Sequence, residues 1–221
     1  MLSENISKKV FNYFQSSTIT RFKKKDIVLH PEQNTSLVFS IKSGFARAYR
    51  ISEDGDELTL MILKSGDIFP LAIGILSDHN NYYIEAITSL EVYSAKEDLF
   101  LSFVKSRPEI FYELMTDTLA QFNNLLARME NLVIGKAYSK VVSTLLSCVQ
   151  SFGQKKGDNV ILNLPLTHKD IANLAGITRE TTCLEMKKLV NKGLISKSGK
   201  LFIVTNLKQL EEEVYEPPLH Y

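Results

Sequence analysis

Tryptophan is absent from this chain of 221 residues, and cysteine and histidine are scarce, at two and four. Cys148 and Cys183 are too few and too far apart for a disulfide framework. With histidines dispersed at 30, 79, 168 and 220, they make no cluster of the kind that zinc or an iron–sulfur centre needs. No apolar run approaches the length of a membrane span. The opening stretch MLSENISKKVFNYF has neither the apolar segment nor the small-residue cleavage site of a signal peptide. The expectation is a cytoplasmic protein with reduced thiols, no membrane segment, no metal and no cofactor. Net charge is lacking too, because 26 basic residues face 25 acidic ones. That balance hides a local excess: from Lys140 to Lys208 eleven basic residues stand against Asp158, Asp170, Glu180 and Glu185. Such an excess is the electrostatic footprint of a nucleic-acid-binding domain.

What is present is richest between Leu166 and Asn206. Thr167 followed by Asp170 resembles a capping box, so a helix begins at His168, with Ile171, Ala172, Leu174 and Ala175 as its apolar face. Gly176 can take a positive φ without steric cost and turns the chain toward a second helix capped by Thr178. Thr182, Met186, Leu189 and Val190 then point inward at helical spacing. Arg179, Glu180, Cys183, Leu184, Lys187 and Lys188 fall on the outward side. Gly193 closes that helix, and the LIS and LFIVT runs make a hairpin tipped by Lys197, Ser198, Gly199 and Lys200. Two helices, a tight turn and a lysine-tipped hairpin are the plan of a winged helix-turn-helix.

The first hundred residues carry another pattern. Short apolar or alternating runs at 26–29, 37–41, 45–51, 58–63, 82–87 and 90–95, separated by KSG, EDGD and KSGD turns, predict strands that close into a roll. Residues 44–63 read as a hairpin with Asp54-Gly55 at its turn. From Pro108 the period becomes helical. Met115, Thr118, Phe122, Leu125, Met129 and Leu132 follow the alternating steps of a coiled-coil seam, and Ile110, Leu114, Leu119, Leu126 and Val133 suggest a second stripe. Two stripes on one helix predict two partners, the roll on one side and the same helix of a second subunit on the other. The expected class is therefore α+β: a jelly-roll or cupin-like β-roll at 1–107, a dimerisation helix at 108–136 and a winged helix-turn-helix at 137–221.

This order, with LPLTHKDIANLAGITRETT followed by LVNKGLIS and GKLFIV, closely resembles the Crp/Fnr family of transcription regulators over nearly the whole chain. The resemblance implies a homodimer on pseudo-palindromic double-stranded DNA, with RNA polymerase as a further partner. It also implies that Arg179 donates to guanine or a nearby phosphate and that Glu180 accepts from a cytosine amino group. Thr178, His168, Lys187 and Lys200 match phosphate-touching positions, and Thr167, Cys183, Leu184, Lys188 and Ser198 complete the expected DNA-facing set. One departure is Leu184, which stands where many members place a second base-contacting arginine.

The sensor half departs further. Cyclic-nucleotide-binding members hold a ribose with a glycine-glutamate pair and a cyclic phosphate with an arginine-serine pair. Here Pro70-Leu71 and Asn80-Asn81 occupy those places. Burying a phosphate without its arginine leaves charge uncompensated, so no response to cyclic nucleotides is expected. No cysteine precedes Cys148, which excludes an N-terminal iron–sulfur switch. Phe69, Leu71, Tyr82, Tyr83 and Asn124 would line a pocket for a small apolar or aromatic effector; the plainer reading makes them ordinary core. Cys183 lies early in the recognition helix, where oxidation would interfere with DNA, although a tolerated small residue is the simpler account. Cys148, with Val141, Val142, Leu145 and Val149, is expected in the core. The acidic tail should form a short helix capped by Asn206, its charge solvated. A cupin-like metal enzyme with an appended helical domain is the alternative, and it needs a His and carboxylate cluster that the sequence does not supply.

Overall fold

Apolar residues on both faces of one strand announce a buried layer, and LVFSI is such a strand. The computed structural model describes residues 4–33, 35–70 and 81–214, in two units, Met1–Asn123 and Asn124–Tyr221. In the first unit helix α1 (Glu4–Gln15) precedes strands β1 (Thr18–Phe22), β2 (Ile27–Leu29), β3 (Leu37–Ser43), β4 (Ala46–Ile51), β5 (Glu57–Leu63), β6 (Ile68–Phe69), β7 (Tyr83–Ala86) and β8 (Leu90–Lys96). They form two antiparallel sheets, ordered β1-β8-β3-β6 and β2-β7-β4-β5. Between the sheets lie Leu29, Phe39, Ile41, Ala46, Ala48, Leu63, Phe69, Ile84, Ala86, Leu90 and Val92. Val38 and Tyr93 point the other way, under Val10 and Phe14 of α1 and Phe100 and Val104 of α2 (Glu97–Lys105). The β4–β5 hairpin turns where expected, with Gly55 at φ 85°.

The outer face of the second sheet is polar and tightly paired. Arg47 meets Glu57 at 2.8 Å and Glu85 at 3.0 Å, and its guanidinium lies 4.1 Å from the centre of the Tyr49 ring. Tyr49 stacks on Tyr83, which meets His30 edge-on. Burial first, then the charge of Glu85, pushes the Tyr49 hydroxyl up to about 12.

Helix α3 (Pro108–Ile134) matches the predicted span closely and corrects the two-stripe reading. Ile110 is fully buried beside Val104, and Leu114 packs at the edge of the same cluster. Leu119, Leu126 and Val133 are exposed. At about 100° per residue the nine steps from Ile110 to Leu119 amount to roughly half a turn, so the second stripe does not stay on one side. From Phe122, by the same rotation, Leu119, Leu126 and Val133 lie within about 60°, on the face that carries Met115, Leu125 and Met129. One broad apolar face replaces two narrow ones. Thr118 sits on it with its hydroxyl donating to the Leu114 carbonyl, and Leu132 is half-buried.

The second unit continues with α4 (Ala137–Phe152), β9 (Gly153–Lys156), β10 (Asn159–Leu162), α5 (His168–Ala175), α6 (Arg179–Asn191), β11 (Ile195–Ser198), β12 (Leu201–Val204) and α7 (Leu207–Glu212). Val141, Val142, Leu145 and Cys148 of α4 form its buried side. Burial pushes the Cys148 thiol up to about 12, against the pull of nearby Arg128. The sheet order is β11-β12-β10-β9.

Candidate nucleic-acid interface

The two helices of the predicted turn are built by local chemistry. The Thr167 hydroxyl accepts from the Asp170 amide while the Asp170 carboxylate accepts from the Thr167 amide at 2.7 Å. Both orphan donors at the helix start are thereby satisfied. Gly176 takes the left-handed conformation, φ 61° and ψ 40°, and Thr178 caps α6 through the Thr181 amide at 3.2 Å. Thr182 is fully buried and donates to the Thr178 carbonyl, and Met186 and Leu189 fill the space beneath.

Arg179 and Glu180, in the first turn of α6, are both exposed, as are Leu184, Lys187 and Lys188. Glu180, Leu184 and Lys187 line up along one outward ridge, with Arg179 and Lys188 on its two flanks. One of its neighbours differs from expectation. Val190 is exposed rather than inward, because Leu189 already takes the core position and the next residue is rotated by about 100°. Glu185 is buried and paired with Lys188 at 2.7 Å.

Cys183 is half-buried, its sulfur 3.1 Å from Nδ1 of His168, with the imidazole tautomer deciding which group donates. His168 stacks on Phe202, their planes 17° apart. Burial lowers the His168 pKa, and the charges of Lys197 and Arg179 lower it further. Lys197 lies opposite Phe202 across the hairpin and reaches over its ring. Ser198 is the neighbour on the other face. It lines a groove of about 340 Å³ with Lys156, Asn159, Ile161, Leu201 and Ile203. The structure thus joins His168, Cys183 and Lys197 around Phe202, with Arg179 near enough for its charge to act on the imidazole, and sets Ser198 on the other face. Lys200 is exposed at the tip beside Gly199, which has φ 59°. The part of Lys197 was hidden in sequence, although strand alternation pairs it with Phe202 and turns Ser198 the other way.

The far end of α6 is clasped. Lys192 Nζ meets Glu213 Oε2 at 2.6 Å, and the Tyr138 hydroxyl donates to the same carboxylate oxygen at 2.8 Å. The acidic tail is therefore tied down at Glu213 rather than wholly solvated. Asn206 caps α7 by accepting from the Gln209 amide.

Of the proposed effector pocket, Phe69, Tyr82 and Tyr83 do not share one face. Phe69 is core, Tyr82 packs against that core, and Tyr83 stands on the opposite face beside Tyr49. Successive strand residues point to opposite sides, which separates the two tyrosines. Leu71, Asn80 and His79 lie outside the described residues, and Asn124 is an exposed helix residue of the second unit. Among the described residues no three His, Cys, Asp or Glu side chains are grouped to hold a metal ion. No helix among them is long and apolar enough to cross a membrane.

Comparison with known proteins agrees with this geometry. Residues 19–107 match the model of a cyclic nucleotide-binding domain, and residues 139–213 match that of a Crp-like helix-turn-helix domain. The global nitrogen regulator of Synechococcus elongatus is 25% identical over 198 residues, 88% of this chain and 89% of that protein. A CooA mutant from Carboxydothermus hydrogenoformans superposes with a TM-score of 0.79 at 25% identity, covering 97% of this chain and 98% of that one. FixK2 from Bradyrhizobium japonicum gives 0.78 at 20% identity, over 91% and 98%.

Proposed function

Because the chain belongs to the Crp/Fnr family of DNA-binding transcription regulators, we propose that it acts in the cytoplasm as a homodimer on two related half-sites and does not answer to cyclic nucleotides. The observation that carries the DNA reading is the capped start of α6, which holds Arg179 and Glu180 outward on a basic ridge. In this reading Arg179 donates to guanine and Glu180 accepts from cytosine in the major groove. Thr167, His168, Thr178, Lys187, Lys188, Ser198 and Lys200 hold the phosphates and fix register. Residues 1–107 serve as a sensor-like roll, 108–136 as the dimer helix and 137–221 as the reader. RNA polymerase is the further partner that transcriptional control requires.

The homodimer rests on the broad face of α3. Phe122 is 54% exposed, and Met115, Leu119, Leu125, Leu126 and Met129 surround it. A contiguous apolar surface of this kind marks an interface. A second copy of the same helix is the partner that matches it along its whole length.

Rejection of cyclic nucleotides rests on the roll interior. Among the described residues Arg47 is the one buried cation of the roll, outside the cluster between the sheets, and it is engaged on the outer face by two glutamates. A cyclic phosphate needs a cation that this cluster does not offer. Titration calorimetry with cyclic AMP should give no heat of binding, and a saturable one would overturn this part.

Selection of bound duplexes from random DNA tests the main reading. Arg179→Ala should then lose about 1–3 kcal/mol of discrimination at one base pair per half-site, while Lys200→Ala should weaken all sequences alike and flatten the salt dependence. Recovery of no preferred sequence would refute sequence-specific DNA reading.

A further inference from the structure

Leu184 interrupts an otherwise polar ridge. It is 63% exposed on α6, one helical turn beyond Glu180 and flanked by Lys187 and Lys188. Four residues advance a helix by about 40° past a full turn, and seven bring it back to within about 20° of its start. Glu180, Leu184 and Lys187 therefore share one line along the outer surface. The inward positions are already filled by Thr182, Met186 and Leu189, so Leu184 is left largely in water. A leucine left in water recovers its hydration free energy only when a partner covers it.

The neighbours specify that partner. Basic side chains on both sides and a lysine-tipped hairpin favour a polyanion over an apolar protein groove. On the major-groove edge of DNA the apolar feature is the C5 methyl of thymine. We infer that Leu184 reads the 5-methyl group of a thymine in each half-site, next to the base pair addressed by Arg179 and Glu180. This rests on the reading of α6 as the groove-entering helix. The preferred half-site therefore favours a methyl-bearing pyrimidine one step along from the pair that Arg179 and Glu180 address.

Uracil in place of thymine deletes that methyl and leaves the pairing edge intact. Each thymine of the selected site is replaced in turn, and affinity is measured for the wild-type protein and for Leu184→Ala. One position per half-site should weaken the wild type about four-fold, the worth of one buried methyl group. The same replacement should leave Leu184→Ala unchanged, and Leu184→Met should restore most of the sensitivity. Because the side chain is exposed, both variants should fold, which circular dichroism verifies. Wild-type binding that is indifferent to every uracil overturns the inference while leaving Arg179-dependent recognition standing. Sensitivity that persists in Leu184→Ala overturns it equally. Failure of the selection itself removes the reading of α6 and this inference together.

Discussion

Arg128 of the long helix donates through Nη2 to the main-chain oxygen of Leu174, 2.6 Å away near the end of α5. The last carbonyls of a helix lack partners within it, and a cation there also meets the negative end of the helix dipole. Burial lowers the Arg128 pKa, which measures how far this guanidinium has been withdrawn from water. Arg128→Ala should destabilise the second unit by about 1.5–3 kcal/mol, the range for hydrogen bonds to charged groups. Urea denaturation of the full chain, followed in the helical signal, checks this. A midpoint equal to wild type would show that water replaces the guanidinium at no cost.

Caps give a second test. Thr167→Ala removes the hydroxyl of the box with Asp170, and Thr178→Ala removes the cap of the following helix. Each should cost about 1 kcal/mol, and Ser at either position should restore most of it. If Thr178→Ala also lowers DNA affinity, comparison at matched folded fractions separates misplacement of Arg179 from unfolding.

The apolar face of α3 makes a graded prediction. Phe122→Glu should convert dimer to monomer in sedimentation, and so should Leu119→Glu, because both lie on the same broad face. A narrow seam would spare Leu119. Retention of the dimer by Leu119→Glu, with loss in Phe122→Glu, would restrict the interface to the coiled-coil line.

His168 sets a pH dependence with opposite signs for folding and for binding. Its folded pKa lies below 6.5, first because of burial and then because of Lys197 and Arg179. The unfolded chain therefore binds the proton more readily. The associated stability is present above pH 6.5 and is lost as pH falls through the depressed folded value. Phosphates placed beside Lys197 and Arg179 offset their charge and favour the imidazolium, so binding takes up a proton. DNA affinity should rise as pH is lowered through the range just below 6.5, and His168→Gln should flatten that rise. Titration in two buffers of different ionisation enthalpy measures the proton directly.

The thiols should separate by reactivity. Cys148 is buried and pushed up to about 12, whereas Cys183 is partly open beside His168. Iodoacetamide at neutral pH should label Cys183 first, as read by peptide mass spectrometry, and bound DNA should slow it. Equal labelling of both would mean that α4 opens as readily as the reading face.

Legibility in the sequence followed the range of the interactions. Thr167, Asp170, Gly176 and Thr178 act within four residues of themselves, and their spacing alone places both helices. Helices α1 and α2 went unread, although Val10 with Phe14 and Phe100 with Val104 carry the four-residue step of a helix packed on one side. Strand β1 escaped because its residues alternate weakly and are mostly exposed at a sheet edge. The contact of His168 with Cys183 joins residues on different helices, while the fit of Lys197 over Phe202 and the inward turn of Glu185 beside Lys188 are local pairs whose facing only the packed structure sets. Periodicity misjudged Leu119 for a geometric reason: a run of threes and fours stays on one face only if the steps average near 3.6, and the five-residue gap after Leu114 breaks that average.

Separation of charge along the chain has a consequence for how DNA is met. The eleven basic residues between Lys140 and Lys208 exceed their acidic neighbours by seven, and since the whole chain is +1 the remainder carries −6. Near a polyanion the first portion is drawn in and the second pushed away. Encounters are thereby sorted before any base is touched, with the winged reader arriving first and the roll, whose 13 basic and 13 acidic residues cancel, adding no pull of its own. The same repulsion shortens each stay on unrelated sequence, because the acidic remainder adds no phosphate contacts of its own. Search speed along a genome is then governed by the balance within the reader itself, its eleven basic residues against the four tail glutamates Glu211, Glu212, Glu213 and Glu216.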